Sequence, residues 1–320
     1  MHLSIVIPVY NEAGNIKTLA QEIEAALPLL GGESEIIWVD DGSSDSSYAE
    51  LSALIRKGGP HKTVRFGRNF GQTAAIAAGI AEASGEFIAL LDADLQNDPA
   101  DLPAMLARME DGFDVVSGWR RDRKDPFLTK VFPSRVANAI IASVTGVRIH
   151  DYGCTLKVYR ALYLKSFRIY GEMHRFMPAF AGAMGARIAE MPVHHRPRSM
   201  GKSNYGLMRT AKVMLDLATV KFMGQYLSKP IYLFGGWGLL LGFTSVVLAA
   251  VTLYKKYCMG IFVKDQPLFL VAIFLGIISV QMILLGLLSE IISRTYYEIN
   301  SRQPYFVKEK AGFGGEAAKQ

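Results

Sequence analysis

Two stretches near the carboxyl end, Pro230 to Tyr254 and Gln266 to Ser289, contain no charged side chain. In hydrocarbon a backbone amide finds partners only inside a helix or a closed barrel, and about 20 apolar residues of helix cross a layer about 30 Å thick. Both runs are long enough, and the segment joining them, Lys255 to Asp265, is short. The pattern predicts a two-helix transmembrane hairpin over 230–290, with both flanking segments on one side of the bilayer. The alternative for such runs is a pair of core helices in a soluble protein. Gly235, Gly236, Gly238 and Gly242 would let the helices approach closely, and they permit a homo-oligomer without requiring one. Basic residues flank the hairpin on both sides, Lys255, Lys256 and Lys264 in its loop and Lys221, Lys229, Arg294 and Arg302 outside it. Charge bias therefore does not orient it.

Outside these runs the composition is that of a soluble α/β protein. The net charge of +6 is carried in short groups near Arg120, Arg198 and the hairpin. Such spacing suits phosphate groups and an anionic membrane lipid surface rather than nucleic acid. Cys154 and Cys258 are the only cysteines, which suggests neither a disulfide framework nor a cysteine-based zinc site. The first apolar run, Leu3 to Val9, is short, contains Pro8 and leads into Tyr10-Asn11-Glu12, unlike an export signal. From Tyr205 to Leu227, apolar Leu207, Met208, Leu215, Ala218 and Phe222 oppose Arg209, Lys212 and Asp216. This predicts an amphipathic juxtamembrane helix over 205–229, lying at the interface or packed in a core.

Residues 1–204 alternate strand and helix patterns. Apolar runs at 3–10, 35–39, 63–66, 86–91, 115–120 and 187–193 read as strands, separated by helical patterns at 16–30, 46–55, 71–83 and 102–109. Phe127 to Val144 reads as a helix pair, and 194–205 as a basic loop. Such alternation predicts a doubly wound, mostly parallel sheet that binds ligands beyond the carboxyl ends of its strands. Acids fall there: Asp40 and Asp41 after one strand, Asp92 and Asp94 after another. Asp92 and Asp94, one residue apart, would face the same way on an extended chain and repel unless a cation or proton intervenes. Oxygen ligands favour Mg2+ or Mn2+, with phosphate oxygens completing the shell. The same acids could instead cap the helix starting near Pro99. Neither G-x-G-x-x-G nor G-x-x-x-x-G-K-[ST] follows a strand, against dinucleotide and P-loop enzymes. His194 and His195, adjacent on a strand, would point opposite ways and read as structural.

Five motifs in order carry a resemblance: Ile7-Pro8-Val9-Tyr10-Asn11-Glu12, Val39-Asp40-Asp41-Gly42-Ser43-Ser44-Asp45, Asp92-Ala93-Asp94-Leu95-Gln96, Asp151-Tyr152-Gly153-Cys154 and Lys202-Ser203-Asn204-Tyr205. With the terminal hairpin, the chain resembles the family-2 glycosyltransferases of GT-A fold, and more narrowly the polyprenyl-phosphate glycosyltransferases. The resemblance implies a GT-A domain over 1–204, then the juxtamembrane helix, the hairpin and a cytoplasmic tail over 291–320. It implies a multi-pass protein of the inner (cytoplasmic) membrane, with the catalytic domain in the cytoplasm. It places Pro8, Tyr10, Glu12 and Asp40 at the base and ribose of a nucleotide-sugar donor. Asp92 and Asp94, with Gln96 nearby, would hold Mg2+ or Mn2+ on the diphosphate, Asp94 counting with Asp151 as catalytic. Arg198 and Lys202 would close over the donor phosphates. Arg120, Lys130 and Ser134 would receive the phosphate of a polyprenyl phosphate acceptor. Two positions depart from some relatives: Lys130 stands where an arginine is seen and Asn204 where lysine is common, and a lysine gives a point charge in place of a bidentate fork. No Gln-x-x-Arg-Trp signature of processive synthases is present, which favours single transfer.

The implied reaction is inverting transfer of one hexose, with UDP-glucose the preferred donor, to undecaprenyl phosphate, supplying a lipid-linked sugar to the cell envelope. A phosphate monoester, with its second pKa near about 6, is mostly dianionic at neutral pH and hardly needs a base. Asp151 is then open to two roles, a proton acceptor or a fixed carboxylate that orients a cation. A GDP-mannose-using enzyme, transfer to another lipid hydroxyl and a non-catalytic membrane scaffold are the competing expectations.

Overall fold

The computed structural model describes residues 1–121, 138–139, 141–143, 145–167, 169, 173–196, 230–298 and 307–311, of which 230, 293–298 and 307–311 are described as backbone course only. The expected helix over 205–229 lies outside these residues, as do Lys130, Ser134, Arg198 and Lys202. The chain divides into two compact units, Met1–Leu217 with Gln303–Gln320, and Ala218–Arg302.

In the first unit the expected alternation is present. It runs β1 (Leu3–Val9), α1 (Ile16–Ala26), β2 (Ser34–Asp40), α2 (Ser47–Arg56), β3 (His61–Phe66), α3 (Gln72–Glu82), β4 (Phe87–Leu90), α4 (Leu102–Glu110) and β5 (Val115–Trp119). Then follow β6 (Lys157–Arg160), a one-turn α5 (Ala161–Leu164), α6 (Met177–Ala183) and β7 (Ile188–Pro192). Leu3, Ile5, Val6 and Ile7 of β1 are all fully buried, so both faces of the sheet are covered, as continuous apolar runs require. On α1, Ile16, Leu19 and Ile23 face the core as expected, whereas Leu27 falls in a 3-10 turn and is only half-buried. Gly79 of α3 lies so close to the sheet that an added Cβ would sit 2.2 Å from Val6 Cγ1.

After β1 the chain steps outward through β2 and β3, then returns to lay β4 on the other side of β1, all in parallel pairing. The order reverses between β1 and β4, and a crevice opens at that point beyond the strand ends. β6 inserts antiparallel between β4 and β5. No local pattern predicts a strand there: Lys157-Val-Tyr-Arg is four residues long and bounded by two cations, and its pairing comes from neighbours distant in sequence.

The second unit contains α7 (Pro230–Met259) and α8 (Pro267–Glu298), both long and apolar enough to cross a membrane. α7 continues to Met259, into the expected loop, and α8 eight residues past 290. Leu239, Phe243, Leu270 and Phe274 are each about two-thirds or more exposed, while the seam between the helices is built on small residues. Ser279 Oγ donates to the Gly238 carbonyl at 2.7 Å and Ser245 Oγ to that of Ala272 at 2.7 Å. A Cβ on Gly238 would meet the Ser279 carbonyl oxygen at 3.1 Å.

The segment expected as a tail over 291–320 does more than trail. Beyond the end of α8, β8 (Val307–Ala311) pairs antiparallel with β3, setting Val64 opposite Lys310. The chain thus returns to the sheet it left, and the exposed edge of β3 is covered.

Candidate active site

The crevice holds a cavity of about 280 Å³ at the reversal of strand order. Pro8, Tyr10 and Glu12 line it from the end of β1. The turn carrying them is fixed by Asn11, whose left-handed backbone (φ 54°) lets its side-chain Oδ1 accept from the Ser44 amide at 2.8 Å. Glu12 is steadied by Asn15 Nδ2, which donates to it at 2.7 Å, and by its own amide, which donates to Ser47 Oγ at 2.9 Å.

Of the two acids ending β2, Asp41 lines the cavity and Asp40 does not. Asp40 is buried beneath the turn, where Oδ1 accepts from the Ser43 amide at 3.0 Å and Oδ2 lies 3.4 Å from Arg65 Nε. Asp41 accepts from the amides of Phe70 (2.7 Å) and Gly71 (2.9 Å). Burial raises its carboxyl above the usual range despite those bonds, and the charge of Asp40 adds to the rise. Gly42 between them and the serines has φ 67°, and a Cβ there would come 2.4 Å from the Arg68 backbone, so the turn requires glycine.

Asp92 and Asp94 also line the cavity, but not as neighbours on a strand face. β4 ends at Leu90 and both acids stand on the turn beyond it, whose next residue, Leu95, has φ 60°. Neither of them caps the following helix, because Asp98 does so, accepting from the Ala100 amide at 3.0 Å at the turn that starts with Pro99. Asp92 is gripped at both oxygens. Gln72 Nε2 donates to Oδ1 at 2.8 Å and Thr155 Oγ1 to Oδ2 at 2.6 Å. Burial, followed by the adjoining charge of Asp94, pushes the Asp92 carboxyl up to about 6. Asp94 Oδ1 accepts from the Gln96 amide at 3.2 Å. Gln96 thus supports Asp94 through its backbone, and its side chain is not among the cavity lining.

These features fit a hard divalent cation. The donors are oxygens, and two crowded carboxylates, with Asp92 raised by burial and by its neighbour's charge, are what a cation would relieve. Among the described residues no group of three or more His, Cys, Asp or Glu could hold a metal alone. Mg2+ or Mn2+, if held at Asp92 and Asp94, would leave most of its coordination positions open to other oxygens.

Asp151 and Arg120 are brought together. Arg120 Nε donates to Asp151 Oδ2 at 2.7 Å and Nη2 to Oδ1 at 2.9 Å, a bidentate pair whose carboxylate is 4% exposed and whose guanidinium is 14% exposed. Gly153 makes room for it, since a Cβ there would stand 3.1 Å from Arg120 Nη2. Glu190 on β7 orients the segment from outside: it accepts from the Asp151 amide at 3.0 Å and from His150 Nδ1 at 2.7 Å, and His150 stacks on Trp119 with ring centroids 4.5 Å apart. From inside, the buried Lys157 donates to the carbonyls of Tyr152 (3.2 Å) and Cys154.

Asp41, Gln72, Thr155, Lys157 and Glu190 are absent from the residues nominated by sequence. Only Asp41 carried a signal, its place at a strand end; Thr155, Lys157 and Glu190 meet the site through the pairing of β6 and β7, and Gln72 from the first turn of α3. His194 bonds outward to Asp101 at 2.7 Å, away from any cluster that could hold a metal among the described residues.

Comparison with known proteins identifies the family and the fold. The chain is 41% identical over 313 residues to the dodecaprenyl-phosphate galacturonate synthase of Rhizobium johnstonii, covering 97% of this chain and 93% of that protein. It is 37% identical over 314 residues to an undecaprenyl-phosphate 4-deoxy-4-formamido-L-arabinose transferase of an Enterobacter species, covering 98% and 94%. Glucosyl-3-phosphoglycerate synthase of Mycobacterium tuberculosis, solved with Mn2+, UDP and phosphoglyceric acid, has the same fold (TM-score 0.52, 18% identity, 70% of this chain and 78% of that one). The sheet and crevice are thus those of the GT-A fold. The model of glycosyl transferase family 2 matches residues 4–168, just over half of the chain. The protein belongs to glycosyl transferase family 2 and is a glycosyltransferase.

Proposed function

We propose that the protein transfers a single sugar from a nucleotide-sugar to a polyprenyl phosphate at the cytoplasmic face of a membrane, with inversion at the anomeric carbon. The observation that carries this reading is the Arg120–Asp151 pair. Transfer to a lipid hydroxyl needs a base, and the acid best placed to be one has both oxygens engaged by a guanidinium. A phosphate acceptor needs none, being mostly dianionic above about pH 6. The match to polyprenyl-phosphate transferases over nearly the whole chain, and the two apolar helices, support the same acceptor.

Asp92 and Asp94 would hold Mg2+ or Mn2+, which supplies charge neutralisation at the leaving diphosphate. Pro8, Tyr10, Glu12 and Asp41 line the part of the crevice suited to the nucleoside, with Asp40 supporting the turn from below. Arg120, held in place by Asp151, would receive the acceptor phosphate, the role the resemblance implies. Two anions must meet here, and a cation 4 Å from either is worth about 4 kcal/mol at an effective dielectric constant near 20. Lys130, Ser134, Arg198 and Lys202 retain the roles the resemblance implies.

UDP-glucose rests on that resemblance alone. The relatives that cover the chain are named for galacturonate and formamidoarabinose, so a donor panel should lead with UDP-galacturonate and include UDP-4-deoxy-4-formamido-L-arabinose, UDP-glucose and GDP-mannose. The test is transfer of label from this panel to undecaprenyl phosphate in detergent. One donor should label the lipid, with loss in EDTA and in Asp94→Ala. Labelling of diacylglycerol instead would transfer the reading to a hydroxyl acceptor, and no transfer to any acceptor from folded protein would favour the scaffold.

A further inference from the structure

The ladder between β4 and β6 sets Leu90 opposite Lys157. Continued two residues past the ladder, that antiparallel register puts Asp92 opposite Thr155. The 2.6 Å bond from Thr155 Oγ1 to Asp92 Oδ2 joins these two positions just beyond the ends of β4 and β6, over a sequence separation of 63 residues. On the other side, Gln72 Nε2 holds Oδ1 from the first turn of α3.

We infer that Thr155 is a positioning residue for the cation site, its hydroxyl fixing the Asp92 carboxylate and tying it to the segment that carries Asp151. The inference rests on the reading of Asp92 and Asp94 as a Mg2+ or Mn2+ site. Thr155 lies four residues after Asp151, and the segment between is held rigid from both sides. Cys154 and Leu156 are buried, the Gly118 amide donates to the Leu156 carbonyl at 2.9 Å, and Lys157 takes the carbonyls of Tyr152 and Cys154. A shift of this segment therefore moves the Asp151–Arg120 clamp and the Asp92 grip together. Gln72 completes the arrangement: with one donor on each oxygen, the plane of the carboxylate is defined and its remaining lone pairs have fixed directions.

The test uses the full-length protein in detergent and reads Mn2+ uptake from the loss of the free-ion paramagnetic resonance signal, alone and with UDP, GDP or CDP. Thr155→Val keeps the shape and removes the donor; it should weaken Mn2+ binding at least about tenfold, as loss of an outer-shell partner does, while nucleotide binding in EDTA is unchanged. Thr155→Ser should bind as the parent does. Gln72→Leu, acting on the other oxygen, should weaken Mn2+ in the same sense and serves if Thr155→Val fails to fold. Unchanged Mn2+ affinity in both Thr155→Val and Gln72→Leu, with uptake abolished in Asp94→Ala, would overturn the positioning role and leave the cation site standing. Loss in Thr155→Ser equal to that in Thr155→Val would also overturn it, because the hydroxyl would not be what matters. Asp94→Ala binding like the parent, or no uptake by the parent under any condition, would overturn the cation site and the inference with it.

Discussion

At the scale of single residues, the proposed chemistry turns on what Asp151 is able to do. A carboxylate bonded through both oxygens to one guanidinium is a poor proton acceptor and a good orienting group, because removing it releases the arginine it holds. Asp151→Asn keeps the size but replaces one acceptor oxygen by a donor facing Arg120. Turnover should fall about a hundredfold, the scale of a misplaced catalytic group, with about 1–3 kcal/mol lost from stability because the largely buried guanidinium exchanges a charged two-oxygen partner for a neutral one. Since the acceptor needs no deprotonation, the residual rate should be flat from about pH 7 to 9. Rate profiles of the variant decide it: a residual rate rising tenfold per pH unit would assign proton abstraction to Asp151 after all.

Among the elements, those with a local signal were legible and those defined by distant pairing were not. β1, β2 and the helix between them follow from apolar runs and helical spacing that need no tertiary context; the strand ends move by a residue, while the helix, expected to residue 30, ends at Ala26 and continues as a 3-10 turn. The acids at the ends of β2 and β4 were legible for the same reason. Which of Asp40 and Asp41 faces the cavity was not, because the turn at Gly42, packed against Arg68, decides it. β6 and β8 escaped because each is four or five residues of mixed polarity that gain their conformation from β4, β5 and β3. Thr155, just before β6, escaped with it, and Glu190 escaped because nothing local shows which neighbour its side chain meets. A buried charge on a strand is equally dependent on its neighbours. Burial would push the Glu35 carboxyl up, but the Lys62 ammonium, the Ser4 and Ser84 hydroxyls and the Ser84 amide outweigh it and hold the group at about 2. A depressed carboxyl stabilises the fold above the unfolded-state value, near about 4.3, and loses that contribution as pH falls through the folded one. Glu35→Gln should therefore cost about 3 kcal/mol at pH 7, the fall from about 4.3 to about 2 converted at 1.36 kcal/mol per pH unit, with the deficit shrinking towards pH 2. Unfolding followed at pH 7 and at about pH 3 tests this, and an equal loss at both would mean the effect is packing rather than charge.

For the whole molecule, connectivity constrains topology more strongly than the charge bias that left orientation open. The sheet receives strands from both ends of the chain: β7 precedes α7, and β8, which follows α8, pairs with β3. If α7 and α8 cross a bilayer, both ends of the hairpin must emerge on the side that holds the sheet, and the turn between Met259 and Pro267 must lie on the other. The protein carries its own reporter of that turn. Cys258, exposed near the end of α7, is one of two cysteines, and the other, Cys154, is 1% exposed inside the sheet unit. Thiolate reactivity requires access, so a membrane-impermeant maleimide should discriminate the two. With the catalytic unit in the cytoplasm, the reagent should label intact spheroplasts at Cys258, and Cys258→Ser should abolish the signal without affecting sugar transfer. Labelling only after permeabilisation would place the turn inside the cell and the sheet outside it. In that arrangement a nucleotide-sugar made in the cytoplasm would not reach the crevice, so the same experiment tests whether the donor proposed for this site has access to it.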